Sequence, residues 1–98
     1  MNSLINEQID DLNLYELRKI FSLIYEDKKG NFSKDVEDSL YLWRFYTAET
    51  GQINDNYLYG FLRKAQIFGL IIKIKSSKRN YYSTYKLEFE KIKEFIGV

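Results

Sequence analysis

The chain has 98 residues, 45% of them hydrophobic and 30% charged, with no Pro, Cys or His. That is one small domain of the ordinary globular class, with no room for a catalytic scaffold joined to a substrate domain. Lacking Cys and His, it can build no disulfide framework, zinc finger, imidazole base or thiol nucleophile, so no catalytic residue, metal or cofactor is expected and the chain is not read as an enzyme.

A domain of this length buries roughly 60–65% of its unfolded surface. The nine Tyr, seven Phe and single Trp are therefore expected to fill much of the core, and a shared dimer core would add to it. The longest apolar run, from Ile67 to Ile72, is far short of the roughly 20 residues that span a bilayer, and the start has no basic targeting region. A soluble, cytoplasmic, nucleoid-associated protein without a membrane partner is expected.

Net charge is +1, but the charge is segregated. Residues 1–27 carry six acids against Arg18 and Lys19, whereas residues 56–87 contain no acid and seven bases: Arg63, Lys64, Lys73, Lys75, Lys78, Arg79 and Lys86. Such a stretch is either a solvated lysine-rich hairpin or the footprint of a polyanion.

Residues 1–13 read as an N-terminal arm or helix, with Leu4, Ile5, Ile9 and Leu12 at helical spacing. Leu14, Leu17, Phe21, Ile24 and Tyr25 form the apolar stripe of a first core helix, broken at Lys28-Lys29-Gly30-Asn31. Ser33, with Glu37 in the first turn, is expected to cap a second helix whose core stripe is Val36, Leu40, Trp43 and Thr47. Its other side carries Tyr41, Phe45 and Ala48, which pack on the first helix or on another subunit. Gly51 ends that helix in a left-handed conformation.

Asn54 or Asp55 can cap a third helix running to about Phe68 and closed by Gly69. Leu58, Phe61, Leu62, Ala65 and Phe68 then face the core, while Asn56, Gly60, Arg63 and Ile67 point away beside Tyr59 and Lys64. The period next changes from 3.6 to 2. Residues 70–75 and 81–87 alternate around a basic tip at Lys78-Arg79, the pattern of a hairpin with Lys73 and Lys75 on one outer face. Residues 88–98 return to helical spacing with Phe89, Ile92, Phe95 and Ile96 on one side. The fold class is mainly α with a small β-hairpin (α+β), one domain over 1–98: the arm, a three-helix unit over 14–69, the hairpin over 70–87 and a C-terminal helix.

The run from Tyr57 to Ile71, with six residues between Leu62 and Gly69-Leu70-Ile71, is followed by Lys73-Ile74-Lys75, a basic turn and Tyr81-Tyr82-Ser83-Thr84-Tyr85-Lys86-Leu87. It resembles the winged helix-turn-helix family, in particular the small dimeric winged-helix proteins of archaeal plasmids and viruses and the PadR-like regulators. The resemblance spans about residues 14–87 and is most specific from Gly69 into the wing; the second helix reads longer than is usual for the family. It implies a third helix in the DNA major groove and a wing on the backbone or minor groove.

On that basis Arg63 is a candidate for a guanine edge, because a guanidinium matches O6 and N7 bidentately. Lys64 leans to phosphate, and Asn56 and Tyr59 to base-edge and phosphate hydrogen bonds. Lys73, Lys75, Lys78 and Arg79 are the wing candidates. Tyr81, Tyr82 and Tyr85 could stack on single-stranded bases but are more simply strand-packing residues. Glu16, Asp10 and Asp11 suggest a carboxylate or metal site, yet nothing converges on them, and an acidic face turned from DNA and open to a protein partner is the simpler reading.

The expectation is a homodimeric winged-helix protein binding double-stranded DNA sequence-selectively to regulate transcription. Dimerisation is assigned to Leu4, Ile5, Ile9, Phe89, Ile92, Phe95 and Ile96. The alternatives are a plasmid-partition or architectural protein that spreads on DNA for segregation, and a winged-helix protein-interaction module that touches no nucleic acid.

Overall fold

The first helix, α1 (Leu14–Lys28), starts where Asn13 and Glu16 form a capping box: Asn13 accepts from the Glu16 N–H at 2.8 Å, and the Glu16 carboxylate accepts from the Asn13 N–H at 3.4 Å. Two otherwise orphaned donors are satisfied there. Its inward stripe is Leu17, Ile20, Phe21 and Ile24, all fully buried, while Leu14 at the open end is half exposed. The computed structural model describes residues 13–75 and 83–98; the N-terminal candidates Leu4, Ile5 and Ile9 and the hairpin tip with Lys78, Arg79, Tyr81 and Tyr82 lie outside the described residues.

The segment expected to begin the second helix instead makes a strand. Residues Val36–Asp38 form β1, and α2 (Ser39–Thr50) begins only afterwards. Ser33 caps nothing; its hydroxyl donates to Asn31 Oδ1. The N-cap is Asp38, whose carboxylate accepts from the Tyr41 N–H at 2.9 Å. Extended backbone at 36–38 is favoured because it finds a ladder partner in a strand nearly fifty positions downstream, and that pairing outweighs a local helical pattern.

The later start turns α2 to a different face. Ser39, Leu42 and Tyr46 are buried, whereas Val36 and Leu40 are exposed and Trp43 and Thr47 only half-buried. Trp43 stacks on Tyr46 at 4.9 Å, and Tyr46 meets Phe61 at 5.0 Å, which in turn tilts against Phe21 at 6.2 Å. This aromatic chain joins three helices through the centre of the core. Tyr41 packs towards α1: its hydroxyl donates to Asp27 at 2.6 Å, and its ring meets Phe45 edge-on at 5.0 Å.

After α2, Gly51 takes φ +72° and its N–H bonds Thr47 O, the left-handed C-terminal conformation that glycine adopts at least cost. A 3-10 turn (Asp55–Tyr57) leads into α3 (Leu58–Ile67), which ends before Gly69. Gly60, expected outside, is buried with Phe61, Leu62 and Ala65, and Phe68, expected inside, falls just past the end of the helix and is 42% exposed.

Strands β2 (Ile71–Lys75) and β3 (Thr84–Leu87) pair antiparallel, and β1 adds to the other edge of β3, so the sheet order is β1-β3-β2. The sheet packs its Ile71, Tyr85 and Leu87 face against the helices. The last helix, α4 (Phe89–Ile96), lies along α1. Ile92 is fully buried by its own chain, so it is not available to a second copy, and its place among the expected dimer residues is corrected. Phe89 is half-buried against Phe32, which itself packs on Tyr25; Phe95 and Ile96 also keep part of their surface.

Candidate nucleic-acid interface

The turn between α2 and α3 is held by side chains at each step. Thr50 donates to Tyr46 O at 2.8 Å and accepts from the Gln52 N–H at 3.1 Å; Gln52 Oε1 accepts from the Asn54 N–H at 2.9 Å; Asn54 Oδ1 accepts from the Asn56 N–H at 3.0 Å. Local bonds of this kind supply the partners that a chain leaving a helix would otherwise lack. They fix the angle at which α3 leaves α2 and hold Asn56 exposed at its start.

With Gly60, Phe61, Leu62 and Ala65 turned inward, α3 presents Tyr59, Arg63, Gln66 and Ile67 to solvent. Tyr59 is 73% exposed. Arg63, one turn further on, shares its face. Lys64 is half-buried and already engaged within the protein, so it contributes charge to the field without presenting a fully solvated ammonium.

Tyr85 connects this helix to the sheet. Burial raises its hydroxyl above the ordinary phenol range, and a hydrogen bond with Ser83 partly offsets that. Lys73 pairs with Tyr85 across the ladder. Residues paired across antiparallel strands share a face, so Lys73 lies on the sheet face that carries Tyr85. At 3% exposure Tyr85 is a packing residue and offers no stacking platform.

Lys75 does not share that face. The register shifts between Lys73 and Lys75, so that Lys75 pairs with Thr84 although Lys73 pairs with Tyr85. Thr84 and Tyr85 are consecutive and point to opposite sides, and the bulge at Ile74 thus moves Lys75 across the sheet, correcting the expectation of one shared face. Lys86 is also on the far face and lies 3.6 Å from Glu88. Of the acid-free stretch, Arg63, Lys64 and Lys73 are therefore the described cations on the α3 side.

Of the acids expected to form a free face, Asp10 and Asp11 lie outside the described residues, and the described Glu16 and Asp27 are used in structure. Glu16 caps α1, Asp27 accepts from Tyr41, and Glu49 lies 3.7 Å from Lys19. Among the described residues no group of three acids is placed to hold a metal ion, and no described helix is long and apolar enough to cross a membrane.

Two features escaped the periodicity. One is Ile53 in the α2–α3 turn, 85% exposed, where isoleucine at a turn tip is a signal in itself; Ile67 on α3, 73% exposed, lies where the helical phase put it. The other is the buried pair of Lys28 and Glu37, which ties the end of α1 to β1. No family model, curated protein or solved structure matches the chain.

Proposed function

We propose that the chain is a winged helix-turn-helix protein that binds double-stranded DNA as a homodimeric, sequence-selective regulator of transcription. The observation that carries this reading is the exposed row of Tyr59 and Arg63 on α3, with Lys73 exposed on β2, in a chain that places no acid between residues 56 and 87. The order α1-β1-α2-α3-β2-β3 with sheet order β1-β3-β2 supports the winged-helix reading, since β2 and β3 form the wing beside a helix whose outward face carries Tyr59, Arg63 and Gln66. Arg63 reads a base edge, Asn56 and Tyr59 position the helix start, and Lys73 and the wing hold phosphate.

Titration of fluorescent duplex DNA at several salt concentrations tests the proposal. With about four phosphate contacts per subunit, log affinity falls against log salt with a slope of about −0.9 for each contact. Binding that ignores salt, or none at low salt, refutes DNA binding and favours the protein-interaction module.

A further inference from the structure

The last turn of α4 meets the start of α1. Phe89 at the head of α4 joins Phe32 and Tyr25 near the end of α1, whereas Phe95 meets Arg18 near its beginning, so the two helices run antiparallel. Arg18 lays its guanidinium 5.3 Å from the centre of the Phe95 ring and donates from Nε to Phe95 O at 3.1 Å. Phe68, just past the end of α3, packs on Phe95 at 5.6 Å and is 42% exposed. Arg18, Phe68, Lys91, Glu94 and Phe95 line an open groove of about 370 Å³.

Two cations and one acid border this groove, around two aromatic rings. Neither Arg18 nor Lys91 makes an ion pair among the described residues. The Nε bond and the ring anchor the guanidinium and leave its terminal N–H groups for a further acceptor. The groove therefore fits an occupant that is both acidic and apolar.

Residues 1–12 have that composition: they carry Glu7, Asp10 and Asp11 with no Lys or Arg, and Ile5, Ile9 and Leu12 recur at the spacing of one helical stripe beside Leu4. They also begin at the edge of the groove. Asn13 caps α1 in an extended conformation, which turns the chain off the helix axis at that residue. Arg18 lies five positions further on, roughly 7.5 Å along the axis, a span that about three extended residues cover. Asp10 and Asp11 can thus reach Arg18, with Leu4, Ile5 and Ile9 left for the rings of Phe68 and Phe95. A tethered segment meets its site at a high effective concentration, so a small groove is enough to hold it.

We propose that residues 1–12 fold back as a strap into this groove of their own chain, with Asp10 or Asp11 paired to Arg18 and the apolar side chains against Phe68 and Phe95. The strap ties the end of α3 to α1 and α4. It assigns Leu4, Ile5 and Ile9 to an intramolecular contact in place of a subunit interface, and it does not rest on DNA binding.

The chain has no cysteine, so introduced thiol pairs report proximity without background. In the full chain, Gln8→Cys with Glu94→Cys is compared with Gln8→Cys with Glu49→Cys, each checked for its fold by circular dichroism and treated with a short bismaleimide at micromolar concentration. Glu49 lies beside Lys19, the neighbour of Arg18, and serves as the control on another flank of α1. The expected result is a link within one chain that forms at least about tenfold faster in the Glu94 pair than in the Glu49 pair, as a seated strap requires. Asp10→Asn with Asp11→Asn, and separately Arg18→Gln, should each lower that preference. Equal rates in the two pairs, a preference unmoved by both charge changes, or a link that joins two chains overturns the inference. No DNA enters the assay, so its outcome is separate from that of the proposed function.

Discussion

Glu37→Gln should destabilise the protein more than Lys28→Met, although the two residues form one ion pair. Lys28 is 6% exposed, its side chain is more deeply covered than that of Glu37 (7% against 25%), and its ammonium lies 4.8 Å from the centre of the Tyr41 ring. Removing the carboxylate leaves a buried cation with no counter-charge, a change that costs about 3–5 kcal/mol in a fully enclosed site. The Tyr41 ring returns part of this through its negative face, about 0.5–2 kcal/mol, and water reaches the pair from the Glu37 side, so a net loss of about 2–3 kcal/mol is expected. Lys28→Met keeps most of the apolar stem and removes the charge that is hardest to solvate. Glu37, a quarter exposed, turns to water, and the loss is about 1 kcal/mol or less. Urea denaturation reads the difference directly: with a slope of about 1–1.5 kcal/mol/M for a chain of this size, the Glu37→Gln midpoint falls by about 2 M and the Lys28→Met midpoint by less than 1 M. An equal or larger loss in Lys28→Met would show that the stem's packing, and not the stranded charge, dominates the site.

On an operator selected from random duplexes, Arg63→Ala should relax discrimination at about one or two base pairs and cost about 1–3 kcal/mol there, whereas Lys73→Ala should weaken all sequences alike and reduce the salt slope by about one. Equal loss on operator and random DNA in Arg63→Ala would remove it from base reading. Stability should also fall in alkali: burial and the hydrogen bond to Asp27 raise the Tyr41 hydroxyl in the folded state, with the Asp27 and Glu37 charges acting in the same direction. The unfolded chain therefore loses this proton first, and the contribution, whole below the ordinary phenol value of about 10, declines as pH rises above it. Denaturation followed from neutral to alkaline pH should show a shallower decline in Tyr41→Phe, and an unchanged decline would place the effect elsewhere.

Local chemistry along the chain was enough to set much of the fold. The apolar stripe of α1, the left-handed glycines at 51 and 69, the alternation leading into β2 and β3 and the helical spacing after Glu88 each depend on residues within a turn or two of one another, and the structure has them. The outward position of Tyr59 and Arg63 was legible for the same reason. What local pattern could not settle was every feature whose partner is distant in sequence. Three residues are too few to show a period, so β1 emerges only through pairing with β3, from Val36 to Lys86. Once β1 takes 36–38, the start and buried face of α2 change together. That helix is apolar on most sides, which left its sequence unable to choose between faces until α1 and α3 were in place. The bulge at Ile74 adds one residue to one strand and sends Lys75 across the sheet, a result of register that alternation alone predicts wrongly. Ile92 is equally apolar whether a second copy or α1 covers it, and the packing of α4 on α1 decided that its own chain does. Spacing determined which side chains share a face; the contacts made by that face, and hence what remained exposed to DNA or to another subunit, depended on long-range packing.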